Sequence, residues 1–285
     1  MNVVRTTLPV SGYAAQMSLH CQTEREMRVS TSDLPILPLS PPAPCMLIGP
    51  VQISGPTHEE ALRFLGQVMA TKAHVKVGFA NAHFVNEAAR DAAFAAVLPQ
   101  FLILPDGIGV DIGAKLLYGT KFPANLNGTD FIPALLRASA TPLRVGLVGA
   151  RPGVAQKAAE KLRSLAPQHS VEALSHGFLD PQSESALLAH LAAEPVDVLL
   201  VAMGNPAQEK WIARCINGAH AHIAFGVGAL FDFLAGEAIR APEWVRAARL
   251  EWVWRLALEP GRLWRRYVLG NPAFLLRVFK QKLGR

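Results

Sequence analysis

The chain has 285 residues, 51% of them hydrophobic, and a formal net charge of +6. That is enough chain to bury a sizeable core, in one large domain or two small ones, and the hydrophobic share excludes a disordered protein. No stretch approaches the roughly 18 to 20 consecutive apolar residues of a membrane-spanning helix. Three scattered cysteines, Cys21, Cys45 and Cys215, argue against a disulfide framework and for a reducing cytoplasm, and no Cys/His spacing resembles a zinc site.

In chain order, residues 1–44 mix Thr, Ser and Pro, ending in a proline-dense run from Pro35 to Pro44. They lack the charged-then-apolar order of a secretory signal and read as a flexible or polyproline-like leader. From Cys45 onward, short apolar runs alternate with helical periodicity, which predicts an α/β domain with a mostly parallel sheet. Strands are expected over Met46–Ile53, Val75–Ala80, Phe101–Leu104, Leu143–Val148, Val196–Met203 and His222–Phe225. A helix should start at the capping-box pair Thr57 and Glu60, with Ala61, Leu62, Leu65, Val68 and Met69 on one face. Further helices are expected over Val85–Val97, Phe131–Ala138, Val154–Leu165, Ser183–Ala193 and Ala207–Asn217.

Ligands in open α/β sheets collect beyond the carboxyl ends of strands. Four glycine-rich or polar segments follow strands here: Pro105–Gly109, Gly149–Gly153, Gly204–Glu209 and Gly226–Ala229. Asp106 stands at a strand end, where a carboxylate serves as general base on a hydroxyl or caps the helix beginning near Val110. Gly107 and Gly109 would let a ligand approach closely. Gly146 to Gly153 lacks the G-x-G-x-x-G spacing and an acidic ribose ligand, although its amides suit a phosphate. Gln208 offers an amide suited to a uracil or sugar edge, or simply begins a solvated helix behind Pro206.

The tail is unusual. From Arg240 to Arg285 there are eleven Lys/Arg against three acids, a local charge of +8 that leaves the rest of the chain at about −2. Trp244, Trp252, Trp254 and Trp264 are interleaved with these cations. Such a surface suits a membrane interface and anionic phosphates; the alternative packs the rings inside and leaves the arginines in water. In a helix, Arg262, Arg265 and Arg266 would share a face, seven residues on from Arg255, and could clamp a diphosphate. The resulting organisation is a leader over 1–44, an α/β domain over 45–239 and a basic appendage over 240–285.

These segments, in this order, resemble the WecG/TagA/CpsF family of glycosyltransferases. The resemblance rests on Asn81, Asp106–Gly109, Gly128-Thr129-Asp130, Gly149–Gly153, Gly204–Glu209, Gly226–Asp232, Arg240-Ala241-Pro242, Glu251-Trp252, Arg255-Leu256 and Glu259-Pro260 with Arg262. It implies a Rossmann-like body, a helical appendage and peripheral attachment to the inner face of the plasma membrane. It further implies transfer of a hexosyl or N-acetylhexosaminyl group from a UDP-sugar to a polyprenyl-diphosphate-linked glycan, with inversion and with no metal or other cofactor. By the same resemblance Asp106 is the general base. Asn81, Gly107, Gly109, Asn125, Asp130, Gly149, Gln208, Glu209, Gly228 and Asp232 are the candidate substrate contacts, and Arg255, Arg262 and Arg265 the candidate phosphate contacts. Phe79 and Asn125 stand where the family often has Thr and Arg, which leaves the donor sugar open. The rival readings are a non-catalytic membrane module and a nicotinamide-dependent oxidoreductase. Nucleic acid is not an expected partner, and the sequence is compatible with a homo-oligomer.

Overall fold

The structure, a computed structural model, describes residues 41–247 and 250–284. The expected leader lies outside these residues except for its last four. Eight strands are described: β1 (Cys45–Ile48), β2 (Val51–Ser54), β3 (Val75–Ala80), β4 (Phe101–Pro105), β5 (Arg144–Gly149), β6 (Ser170–Ser175), β7 (Val196–Ala202) and β8 (Ala221–Gly226). The last six form one sheet in the order β4-β3-β8-β7-β5-β6, with every neighbouring pair parallel. All six carboxyl ends therefore open on the same edge.

The central strand β7 shows why this sheet forms. Its run Val-Asp-Val-Leu-Leu-Val-Ala is β-rich and almost wholly buried, as expected of a parallel strand covered on both faces. Val198, Leu200 and Ala202 enter one core cluster, while Leu199 and Val201 enter the other. That two-residue alternation divides the protein into two apolar layers on either side of the sheet.

Helices connect the strands. The capping box at Thr57 and Glu60 starts α1 (His58–Thr71) as expected. The stretch Val85–Val97 is not one helix. Asp91 takes an extended conformation, closes α2 (Ala82–Arg90) and caps α3 (Ala92–Val97) by accepting from the Phe94 amide at 2.9 Å. Then follow α4 (Ile108–Tyr118), α5 (Gly128–Ala138), α6 (Val154–Leu165), α7 (Pro181–Ala193), α8 (Ala207–Cys215) and α9 (Leu230–Leu234). Two strand expectations also need correction. Met46–Ile53 is a hairpin, turned at Gly49, whose φ of 58° admits the reversal, and it stands apart from the main sheet. The edge strand β6 was missed because its sequence, Ser-Val-Glu-Ala-Leu-Ser, is half polar and its inward face is short.

Beyond residue 250 the chain forms α11 (Glu251–Leu258), α12 (Pro260–Trp264), a π-turn over Arg265–Leu269 and α13 (Gly270–Lys282); α10 (Glu243–Ala247) precedes them. The last helix of the appendage expected over 240–285 packs into the body. Phe274 and Val278 are fully enclosed in the core layer shared with Ile48, Val85, Val110 and Ala114. The Asn86 amide donates to the Gly270 carbonyl at 2.7 Å, and Gln281 accepts from the Gly49 amide at 2.7 Å. Helix α13 is therefore part of the body, and the described residues between Ile239 and Gly270 form an arch between two anchored ends.

Candidate active site

A cleft of about 760 Å³ opens at the carboxyl edge of the sheet, beneath the arch. Size and position fit the rule that such sheets bind ligands beyond their strand ends. Asp106 follows β4 directly. Its amide donates to the Ala80 carbonyl at 2.9 Å, which carries the β3–β4 pairing one residue past the sheet and fixes where the carboxylate begins. The capping alternative is not observed: the N-cap of α4 is Gly107, at φ 86°, and no side chain caps that helix. The turn needs a glycine there because a side chain at that φ is strained. Gly109 lines the cleft and also serves packing, since a Cβ on it would lie 2.9 Å from the Ala82 Cβ. Its absence lets the first turns of α2 and α4 meet.

Asn81 joins these helices to the carboxylate. Its Oδ1 accepts from the Phe84 amide at 3.1 Å, capping α2, and its Nδ2 donates to Asp106 Oδ2 at 3.2 Å. Asn125 accepts from the Gly107 amide at 2.7 Å, so it holds the Asp106 loop from the opposite side. Asp106 lines the cleft and is half-buried. Burial pushes its pKa above the ordinary carboxylate range, while the Asn81 hydrogen bond and then Arg266 and Arg255 pull it back. A carboxylate so held is a stronger proton acceptor than one in water, and it is aimed at the space a substrate would fill.

The other wall is built by two glycine loops. Gln208, only 2% exposed, accepts at Oε1 from the amides of Gly204 (3.2 Å) and Gly228 (3.0 Å). Its Nε2 donates to Glu209 Oε1 at 2.8 Å, and Asn205 Nδ2 donates to the same oxygen at 2.6 Å. Gln208 thus lines the cleft chiefly as the clasp between the β7 and β8 loops. Glu209 lies behind it, fully buried, with its pKa raised by burial to about 7 and its Oε2 without a hydrogen-bond partner. Gly149 also stays out of the cleft lining. A Cβ there would sit 2.4 Å from the Ala202 carbonyl oxygen, so its bareness serves the contact between β5 and β7.

The arch closes over the top. Arg240 makes a two-pronged ion pair with Asp130 at 2.7 and 3.3 Å, approaches Glu251 at 3.6 Å, and lies over the Phe233 ring. Arg255 lies over that ring as well, 5.2 Å from its centre. Phe233 and Asp130 therefore fasten the arch to α9 and α5. Asp232, Arg255 and Arg262 line the cleft; Arg265 does not, and its guanidinium lies over Trp264. Arg266, which the sequence sets on one helical face with Arg262 and Arg265, does line the cleft, beside the π-turn. His83 also lines it and was not singled out from sequence; burial and then Arg266 depress its pKa to about 4, so that it is neutral near pH 7. The signal for His83 was its place two residues after Asn81; for Arg266 no local signal separates it from Arg265. Phe79 forms the apolar floor, stacked on Phe225 at 6.1 Å.

A parallel α/β body with a half-buried carboxylate at a strand end, near two guanidiniums, can support group transfer. The comparison with known proteins agrees. Residues 46–285 match the glycosyl transferase WecG/TagA/CpsF family. The chain belongs to that family and is a glycosyltransferase. It is similar to the N-acetylglucosaminyldiphosphoundecaprenol N-acetyl-beta-D-mannosaminyltransferase of Bacillus subtilis (strain 168), at 33% identity over 181 residues, 63% of this chain and 69% of the relative. It is equally similar to the protein of the same name from Bacillus spizizenii, at 33% over 205 residues, 71% of this chain and 78% of the relative.

Proposed function

We propose that this protein transfers a hexosyl or N-acetylhexosaminyl group from a UDP-sugar to a hydroxyl of a polyprenyl-diphosphate-linked sugar, with Asp106 as general base. The relatives' names, which specify an N-acetylglucosamine acceptor on undecaprenyl diphosphate, support the acceptor class. The single observation that carries the catalytic assignment is Asp106 itself: a carboxylate raised in basicity by burial, pinned by Asn81 and open to the cleft. In the reaction the acceptor oxygen bonds to the anomeric carbon as its proton passes to Asp106. The bond from that carbon to the diphosphate oxygen breaks, and UDP leaves with the electron pair. One such displacement inverts the anomeric centre. The negative charge growing on the diphosphate is met by arginines fixed in the cleft.

The acceptor's lipid chain places the reaction at a membrane surface. No helix among the described residues is long and apolar enough to cross one. The arch and last helix instead expose apolar side chains beside cations, among them Trp244 (72% exposed), Trp264, Leu258, Val268 and Phe279. These rings and aliphatic chains suit shallow insertion, and the basic residues suit anionic headgroups. Peripheral attachment to the inner leaflet follows from this reading. The test is a transfer assay with a panel of UDP-sugars and a synthetic polyprenyl-diphosphate N-acetylglucosamine acceptor. Formation of a disaccharide-lipid of inverted configuration is expected; no product from any donor, or product with retained configuration, would refute the proposal.

A further inference from the structure

We propose that His83 binds the sugar of the lipid-linked acceptor, accepting at Nε2 a hydrogen bond from a ring hydroxyl other than the one that reacts, and so selects which acceptor sugar is presented to Asp106. This rests on the transfer reaction proposed above and names a residue that recognises its acceptor.

The first turn of α2 sends four consecutive side chains in fixed directions. Asn81 caps the helix and holds Asp106. Ala82 packs where Gly109 leaves room for it. Phe84 is fully enclosed in the core, its ring edge-on to Phe94. His83, between them, lines the cleft with its side chain 27% exposed. One turn on, Asn86 bonds to the Gly270 carbonyl and fastens the same helix to α13. The ring therefore enters the cleft from a rigid element, as a group that orients a ligand must.

Among the described residues the ring makes no hydrogen bond. Its Nδ1 is 3.8 Å from Glu87 Oε1, beyond hydrogen-bonding reach, and Glu87 is engaged by Arg90 at 3.3 Å. Burial, then Arg266 and Arg90, keeps the ring neutral at ordinary pH. A neutral imidazole carries one donor and one acceptor. The Glu87 carboxylate beside Nδ1 favours the proton there, which leaves Nε2 as the acceptor. Such a nitrogen suits an uncharged hydroxyl and has no charge to pair with a phosphate. Position favours the acceptor over the donor. An acceptor must span from Asp106, which takes its proton, to the guanidiniums of the arch, which suit its diphosphate, so its sugar lies between them. Arg266 acts on the charge of both His83 and Asp106, which sets His83 at that junction. Both residues also belong to the β3–β4 end of the sheet, whereas the glycine loops that suit a nucleotide follow β5, β7 and β8.

The test is steady-state transfer by full-length wild type, His83→Ala, His83→Gln and His83→Asn. The donor is the UDP-sugar that wild type uses best; the acceptors are polyprenyl-diphosphate N-acetylglucosamine and analogues that each lack one non-reacting ring hydroxyl. His83→Ala should raise the acceptor KM about 5- to 50-fold and leave the donor KM within about twofold. His83→Gln, which sets an amide near the position of Nε2, should recover most of that loss, and His83→Asn, which sets one near Nδ1, should recover little. One deoxy acceptor should cost wild type a similar factor and cost His83→Ala nothing further, a coupling that a merely structural role would not produce. Melting temperatures should be unchanged, since the ring makes no hydrogen bond within the described fold. An unchanged acceptor KM in His83→Ala, an equal rise in donor KM, or losses that simply add for every deoxy acceptor would overturn the assignment. So would a fall in melting temperature shared by His83→Ala and His83→Gln. If wild type transferred to none of the acceptors, the transfer reaction itself would fall and take this assignment with it.

Discussion

Replacing Asp106 by Asn separates catalysis from architecture in one atom. The Asn81 Nδ2 bond to position 106, 3.2 Å long, can be kept, because an amide oxygen accepts as a carboxylate oxygen does. The Asp106 amide bond to Ala80 involves only backbone. What disappears is the proton acceptor, and removal of a general base lowers turnover by about 10² to 10⁴, or roughly 3 to 5 kcal/mol of transition-state stabilisation. Stability should move the other way. Burial raises the Asp106 pKa above its ordinary value of 3.8, so between that value and the raised one the folded state holds a proton the unfolded state has lost. This contribution is fully present below the ordinary value and is lost as pH rises through the raised one. At neutral pH the ionised, buried carboxylate therefore weakens the fold, and Asp106→Asn should melt at the same temperature or higher. The assay is single-turnover transfer beside melting curves from pH 4 to pH 8. Near-wild-type turnover would refute the base assignment, and a melting point several degrees lower at neutral pH would show that Asp106 is structural.

Three further outcomes are expected. Phe274→Ala should destabilise the whole protein by about 3 to 5 kcal/mol, because the ring fills the core beneath Gly113; a denaturant midpoint within error of wild type would show that α13 is a detachable tail. Glu209→Ala should leave the Asn205 and Gln208 donors unmatched, cost about 1 to 3 kcal/mol for each, and loosen both glycine loops, whereas Glu209→Gln should keep an acceptor and flatten the loss of stability that wild type shows as pH rises through about 7; equal melting curves for the three proteins across pH 5 to 9 would contradict this. Trp244→Ala combined with Trp264→Ala should reduce co-sedimentation with anionic vesicles, and added salt should reduce it further, with the melting temperature unchanged; undiminished binding would move the membrane contact elsewhere.

Local chemistry wrote much of this protein directly into the chain. The Thr57–Glu60 box starts a helix by itself, the apolar run Val196–Ala202 can only be a strand covered on both sides, and Asp106 between a strand and Gly107 already marks a carboxylate at a sheet edge. The order of these segments carried the family as well. Three other matters were decided by contacts between distant residues. Whether Asp106 caps a helix or faces a cleft depends on Asn81, twenty-five positions away, and on Asn125. Whether the tail is appendage or core depends on Phe274 meeting Ile48 and Gly113, a contact that no periodicity in the basic tail reports. Which of two adjacent arginines lines the cleft, Arg266 and not Arg265, is decided by how the arch packs, which their spacing does not report. Spacing along a chain states which side chains can share a face; only the packing of that face against the rest of the molecule states which way it turns.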